Sequence, residues 1–145
     1  AQSHIFVSDE EFDKLDDIIA YTCFDRFRYA ATKQQADEAD LYIVDPDGVN
    51  YFLEHYHGKR QPYTIYILAS KPDRFCWLKE RYGNDAEATE LAMHRIKHDE
   101  SVFSPNKLAG LYDAAVCNSV YRDIDDVTDE VFEIIEEANN GASQD

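Results

Sequence analysis

Asp45 is the residue in this chain best placed to do chemistry. It closes the apolar run Leu41-Tyr42-Ile43-Val44 and is followed by Pro46-Asp47-Gly48. Asp9 and Glu10 stand just behind a second apolar run, Ile5-Phe6-Val7. Ser70 and Ser104 follow two further apolar stretches. Carboxylates gathered at strand ends can hold Mg²⁺, a hard cation that prefers oxygen ligands and keeps several waters. A carboxylate beside such an ion can also attack a phosphoryl donor. Each residue also has a plainer role. Asp45 can cap the amides of Asp47 or Gly48, and Asp9 and Glu10 can supply negative charge to a helix N-terminus. Ser104-Pro105 suits a turn that starts a helix. His94 and His98 stand four apart, a chelating spacing that lacks a third ligand and so reads as a solvated helix face. Cys23, Cys76 and Cys117 have no ligand-spaced partners and read as small core residues.

For these residues to meet, the elements must bring their strand ends to one edge. Short apolar runs predict strands at His4–Val7, Phe27–Ala30, Leu41–Val44, Thr64–Ala69 and Val102–Phe103. Leu41–Val44, bounded by Asp40 and by Asp-Pro-Asp-Gly, reads as the central strand, buried on both faces. Helical spacing runs from a cap at Ser8 or Asp9 through Phe12, Leu15, Ile18 and Ile19 to about Tyr21. Further helices are expected over 33–38, 49–56, from Asp73 to Gly83, and from Asn84 or Asp85 through Ile96. Another, capped by Asn106, turns Leu108, Leu111, Tyr112, Ala115 and Val116 inward. The predicted fold is a doubly wound, parallel five-stranded sheet with helices on both faces. Residues 1–121 form this domain, 122–138 an acidic C-terminal helix, and 139–145 a disordered tail.

Composition narrows the function. Hydrophobic residues make up 44% of the 145 and aromatics 13%, so the chain can bury a core. A net charge of −16 repels nucleic acid and anionic membranes and favours a protein partner with a basic surface. No apolar run approaches the length of a membrane span. An odd, scattered set of cysteines fits reduced thiols in the cytoplasm.

The order of these pieces resembles the receiver domain of two-component response regulators, a flavodoxin- or CheY-like fold. Val7-Ser8-Asp9-Glu10 looks like the family's paired-acid motif and Asp40-Leu41-Tyr42-Ile43-Val44-Asp45 like its phospho-acceptor strand. Ile67-Leu68-Ala69-Ser70 looks like the fourth strand, and Phe103-Ser104-Pro105-Asn106-Lys107-Leu108 like the Lys-Pro-Phe segment. The resemblance implies Asp45 as phospho-acceptor, Asp9, Glu10 and Asp45 around Mg²⁺, and Ser70 and Ser104 against the phosphoryl group. Ser104 replaces the family's lysine, and the hydroxyl on the fourth strand is shifted by one residue to Ser70. Losing the cation removes a charge-assisted contact worth about 1.5–3 kcal/mol. The expectation is therefore a pseudo-receiver, a non-enzymatic signalling domain that acts by protein–protein contact through Phe103, Tyr112 and Phe132. Three alternatives are a working Mg²⁺-dependent phospho-acceptor, an acidic DNA mimic that occupies a nucleic-acid-binding protein, and a Toprim-like metal enzyme using Asp45-Pro46-Asp47.

Overall fold

The computed structural model describes residues 5–24, 26–58 and 61–142. The chain divides into two compact units, Ala1–Gln61 and Pro62–Asp145. Each unit holds one sheet of two strands, one antiparallel and one parallel. This overturns the expected five-stranded parallel sheet: of the five predicted strands, only Phe27–Ala30 and Thr64–Ala69 fall on strands.

In the first unit, α1 (Asp9–Phe12) is a single turn. Ser8 closes a capping box with Glu11, its hydroxyl accepting from the Glu11 amide and its own amide donating to Glu11 Oε2 at 2.8 Å. Leu15-Asp16-Asp17 ends the helical stretch, and Asp17 takes a left-handed backbone (φ 54°) that an aspartate tolerates. The helix gives way to β1 (Ile18–Phe24), because Ile-Ile-Ala-Tyr-Thr-Cys is rich in β-branched and aromatic residues. β1 pairs antiparallel with β2 (Phe27–Thr32). Ile18 faces Thr32 and Ala20 faces Ala31, so Ile19 is an extra residue, a bulge. The bulge lets two consecutive residues, Ile19 and Ala20, both lie buried.

Ile19, Ala20 and Ala31 form this unit's core, with Ala36, Val44, Phe52 and Tyr56 packed against it. The alanines leave room for α3 (Pro46–His55) to lie on β1. Between them, α2 (Lys33–Glu38) opens with a second capping box, Thr32 with Gln35. Outside the core, Arg28 reaches Asp9 at 2.7 Å and Asp13 at 2.6 Å and lies 4.4 Å over the Phe12 ring. These carboxylates push the guanidinium pKa still higher. Such exposed pairs contribute little, and the apolar cluster does most to hold the unit.

Leu41–Val44, the predicted central strand, belongs to neither sheet. It is an irregular segment with Ile43 98% exposed; only Val44 touches the core. Ile5–Val7 is not a strand either, and His4 lies outside the described residues.

The second unit runs β3 (Ile65–Leu68), α4 (Lys71–Tyr82), α5 (Ala86–Val102), α6 (Pro105–Leu108), β4 (Ala114–Cys117) and α7 (Ile124–Ala142). The predicted strand Val102–Phe103 is the end of α5 and its cap. Ala115 and Val116, expected on a helix, are strand residues. Gly110 (φ 73°) and the Asp113 carboxylate, which accepts the Thr64 amide at 2.7 Å, set β4 against β3 instead. α4 ends at Gly83 (φ 111°), a conformation that favours glycine, and Asp85 starts α5 by accepting from the Ala88 amide. The start of α4 then meets the end of α5 through Lys71–Glu100 (2.8 Å), with Asp99 beside Arg74 and Arg95. Ala88, Ala92, Ile96, Leu111, Val116 and Val127 are this unit's buried apolar residues. α7 packs on β4 and continues through Asn139 and Asn140, residues expected in a tail.

Ile96→Ala, at a site 1% exposed, should lower the stability of the second unit by about 2–5 kcal/mol in urea unfolding, whereas Leu91→Ala on the open face of α5 should change it far less. Glu11 is held below its usual pKa of 4.5 by the Ser8 amide and hydroxyl, and Glu100 by Lys71. Their stabilising effect is therefore complete above the unfolded value and is lost as pH falls through the lower folded one. NMR titration should give both a midpoint below 4.5, with Lys71→Met raising that of Glu100 and Ser8→Ala raising that of Glu11 only in part, because the backbone amide that lowers it most remains.

Candidate functional site

Asp45 is the N-cap of α3. Its Oδ1 accepts from the Gly48 amide at 2.7 Å and its Oδ2 accepts from the Thr22 hydroxyl at 2.6 Å. Pro46 occupies the first helical position, where its missing N–H costs nothing and its fixed φ suits the turn. Gly48 is buried, and a Cβ there would stand 3.1 Å from Asp45 Oδ1 and 3.4 Å from Val44 Cβ. Asp-Pro-Asp-Gly is thus a helix start fitted closely around a carboxylate. Both Asp45 oxygens are engaged, one on α3 and one on β1, so the group fastens the helix to the hairpin. Asp47 lies in the first turn of the same helix, which removes the strand-end geometry that an Asp-x-Asp metal motif requires.

Asp9 and Glu10 lie exposed in the first turn of α1, and Asp9 is paired with Arg28. Among the described residues, no group of three or more His, Cys, Asp and Glu side chains is placed to hold a metal ion, so Asp9, Glu10 and Asp45 form no such cluster. Ser70 and Ser104 belong to the other unit. Ser70 caps α4, accepting from the Asp73 amide at 3.2 Å and donating to Asp73 Oδ2 at 2.6 Å. Ser104 stands at the N-cap of α6 without a side-chain capping bond.

By sequence, Asp73 is only a helix cap. In the fold its side chain is buried, and its second oxygen accepts from the Val120 amide at 3.3 Å. It therefore ties the loop after β3 to the loop after β4. The spacing Ser70-x-x-Asp73 is the signal that could have revealed it.

Of the three residues expected to meet a partner, two, Phe103 and Tyr112, are brought together. Phe103 lies 6.2 Å and Tyr112 5.4 Å, ring to ring, from Tyr66 on β3. Phe132 is half-exposed on α7. Nothing in an apolar strand marks which aromatic will anchor others, so Tyr66 could not be singled out by sequence. In register, Ile65 pairs with Ala114, Tyr66 with Ala115, Ile67 with Val116 and Leu68 with Cys117. Paired residues in a parallel sheet share a face, so one face carries fully buried Val116. The opposite face carries Leu68, 47% exposed, with Ala115 and Cys117 also open to solvent. Parallel sheets are ordinarily covered on both faces. This one is only partly covered on the Leu68 side, where Phe103 and Tyr112 pack on Tyr66 and leave Leu68 half in water.

No protein-family model matches the chain, and no curated protein and no solved structure matches it. No helix among the described residues is long and apolar enough to cross a membrane.

Asp45→Ala should cost about 1–2 kcal/mol, from the lost cap and the orphaned Thr22 hydroxyl, with Asp45→Asn costing less because it keeps an acceptor for Gly48. Urea unfolding of the three proteins checks the order. Equal stability of wild type and Asp45→Ala would show that the carboxylate fastens nothing.

Proposed function

We propose that this chain is a non-catalytic recognition module that binds a protein through the Leu68 side of the β3–β4 sheet. The single observation behind this is the parallel two-stranded sheet with apolar residues left half in water. A sheet of two strands is marginal by itself, and a parallel one is normally a core element. Leu68 on that side and Tyr112 beside Tyr66 are each more than two-fifths exposed, and exposed apolar surface of this kind marks interaction sites. Tyr66, flanked by Phe103 and Tyr112, supplies the aromatic anchor that recognition surfaces favour.

Phosphorylation of Asp45 has no part in this function, because the carboxylate already serves the helix and the hairpin. A net charge of −16 turns the choice of partner toward basic proteins and away from nucleic acid. Three exposed free thiols suit a reducing, cytoplasmic setting.

Leu68→Lys tests the proposal. The side chain is half in water, so the exchange should leave the circular dichroism spectrum unchanged while placing a charge in the apolar face. Used as baits beside wild type and the control Leu91→Lys, the variant should lose partners that both others retain. Identical capture by all three proteins would sink the proposal.

A further inference from the structure

The backbone of β3 has a free edge with a definite register. Thr64 O accepts from the Ala114 amide at 3.2 Å, and Leu68 O accepts from the Asn118 amide at 2.8 Å. In a parallel ladder the groups of alternate residues face the partner strand, so 64, 66 and 68 face β4 and those of Ile65 and Ile67 point away. Among the described residues, nothing hydrogen-bonds to that outer edge. The outer edge of β4 differs, because Arg122 Nη1 donates to Cys117 O at 2.6 Å.

Open edges are normally blunted by lysine, proline or a bulge, since an unprotected row of N–H and C=O groups templates another strand. In this chain 30% of residues are charged, yet 61–70 contain no charge at all, and β3 has no proline or bulge. Apart from its short length of four residues, the edge carries none of these devices. Beside the sheet, α7 lies against β4, and from Asp123 to Glu137 the chain has eight acids and no base.

We infer that the outer edge of β3 takes up an extended segment of a cationic protein as an added strand, pairing with the backbone of Ile65 and Ile67. This rests on the recognition function proposed above and names its mode and its partner chemistry. Backbone bonds would supply affinity, and alternate side chains of the added strand would cover Ile67 on one face and Leu68 on the other. The partner is basic because the chain as a whole carries a net charge of −16. It is not a second copy, since pairing β3 with β3 would bring two chains of charge −16 and two acidic helices together.

The test is amide hydrogen exchange by NMR on the full chain, using synthetic peptides of alternating valine and threonine flanked by lysines or by glutamates. In the free chain, Ile65 and Ile67 should exchange much faster than Tyr66 and Leu68. The lysine-flanked peptide should slow them by roughly tenfold or more, with the effect fading at high salt, and the glutamate-flanked peptide should do nothing. Ile67→Pro, which removes one donor at the edge, should abolish the slowing. Should that variant disturb the sheet, Ile67→Lys should weaken it instead by repelling the lysine-flanked peptide.

The inference falls if neither peptide protects the two amides, or if both do so equally. It also falls if they are already protected in the free chain: protection that grows with concentration would mean a second copy, and constant protection would mean the chain fills its own edge. If the peptides fail while Leu68→Lys still loses its partners, the face binds proteins by another mode. If Leu68→Lys also changes nothing, the recognition function falls with it.

Discussion

Backbone hydrogen-bonding valence is the constraint on which this structure turns. Every strand residue carries a donor and an acceptor that need partners, and a sheet of two strands satisfies them on one side only. The antiparallel hairpin manages this economically, because a hairpin can keep one face in water by design. It also gains α3 as a cover, held by the Asp45 carboxylate at one end and by Phe52 and Tyr56 along its length. The parallel pair leaves Ile67 on one face and Leu68 on the other nearly half exposed.

Side-chain oxygens do much of the remaining organisation. Ser8, Thr32, Asp45, Ser70 and Asp85 each accept a bond from a backbone amide at a helix start. Three of these carry a second duty. Thr32 closes β2 as well as opening α2, Asp45 also holds Thr22, and Ser70 orients the buried Asp73 toward Val120. Helix ends and strand ends are thereby fixed by the same few polar atoms. Two of the residues that stand out in the sequence, Asp45 and Ser70, are employed this way.

That double use explains what the sequence did and did not make legible. Caps and glycine stops are local, so a helix start at Ser8 or Asp9, the end of α4 at Gly83 and the start of α5 at Asn84 or Asp85 could be read, although α4 is capped by Ser70 and not by Asp73. Asp45-Pro46-Asp47-Gly48 was also local, but the same residues stop a strand or start a helix, and only Thr22 and the close fit at Gly48 decide between them. Ile18–Phe24 sits at helical spacing with Phe12 and Leu15, yet the break at Asp16-Asp17 separates them and β propensity wins. Ala115-Val116 depended on a partner, β3, far away in sequence. Four apolar residues at Leu41–Val44 satisfied every local rule for a buried strand and still lie outside both sheets. Receiver-like order along the chain therefore did not carry receiver topology.

The two sheets also differ in how their strands find one another. β1 and β2 are joined by a tight turn at Arg26 (φ 71°), so their pairing closes a short loop. β3 and β4 pair only across three intervening helices, and closing that longer crossover costs more chain entropy before any contact compensates it. During synthesis the first unit emerges complete and can pair at once. β3 emerges as a bare, uncharged strand and must wait for β4, with α4, α5 and α6 made in between. The uncharged stretch 61–70 is therefore the segment of the nascent chain most in need of shielding, a hazard of the same backbone edge that the folded protein keeps open.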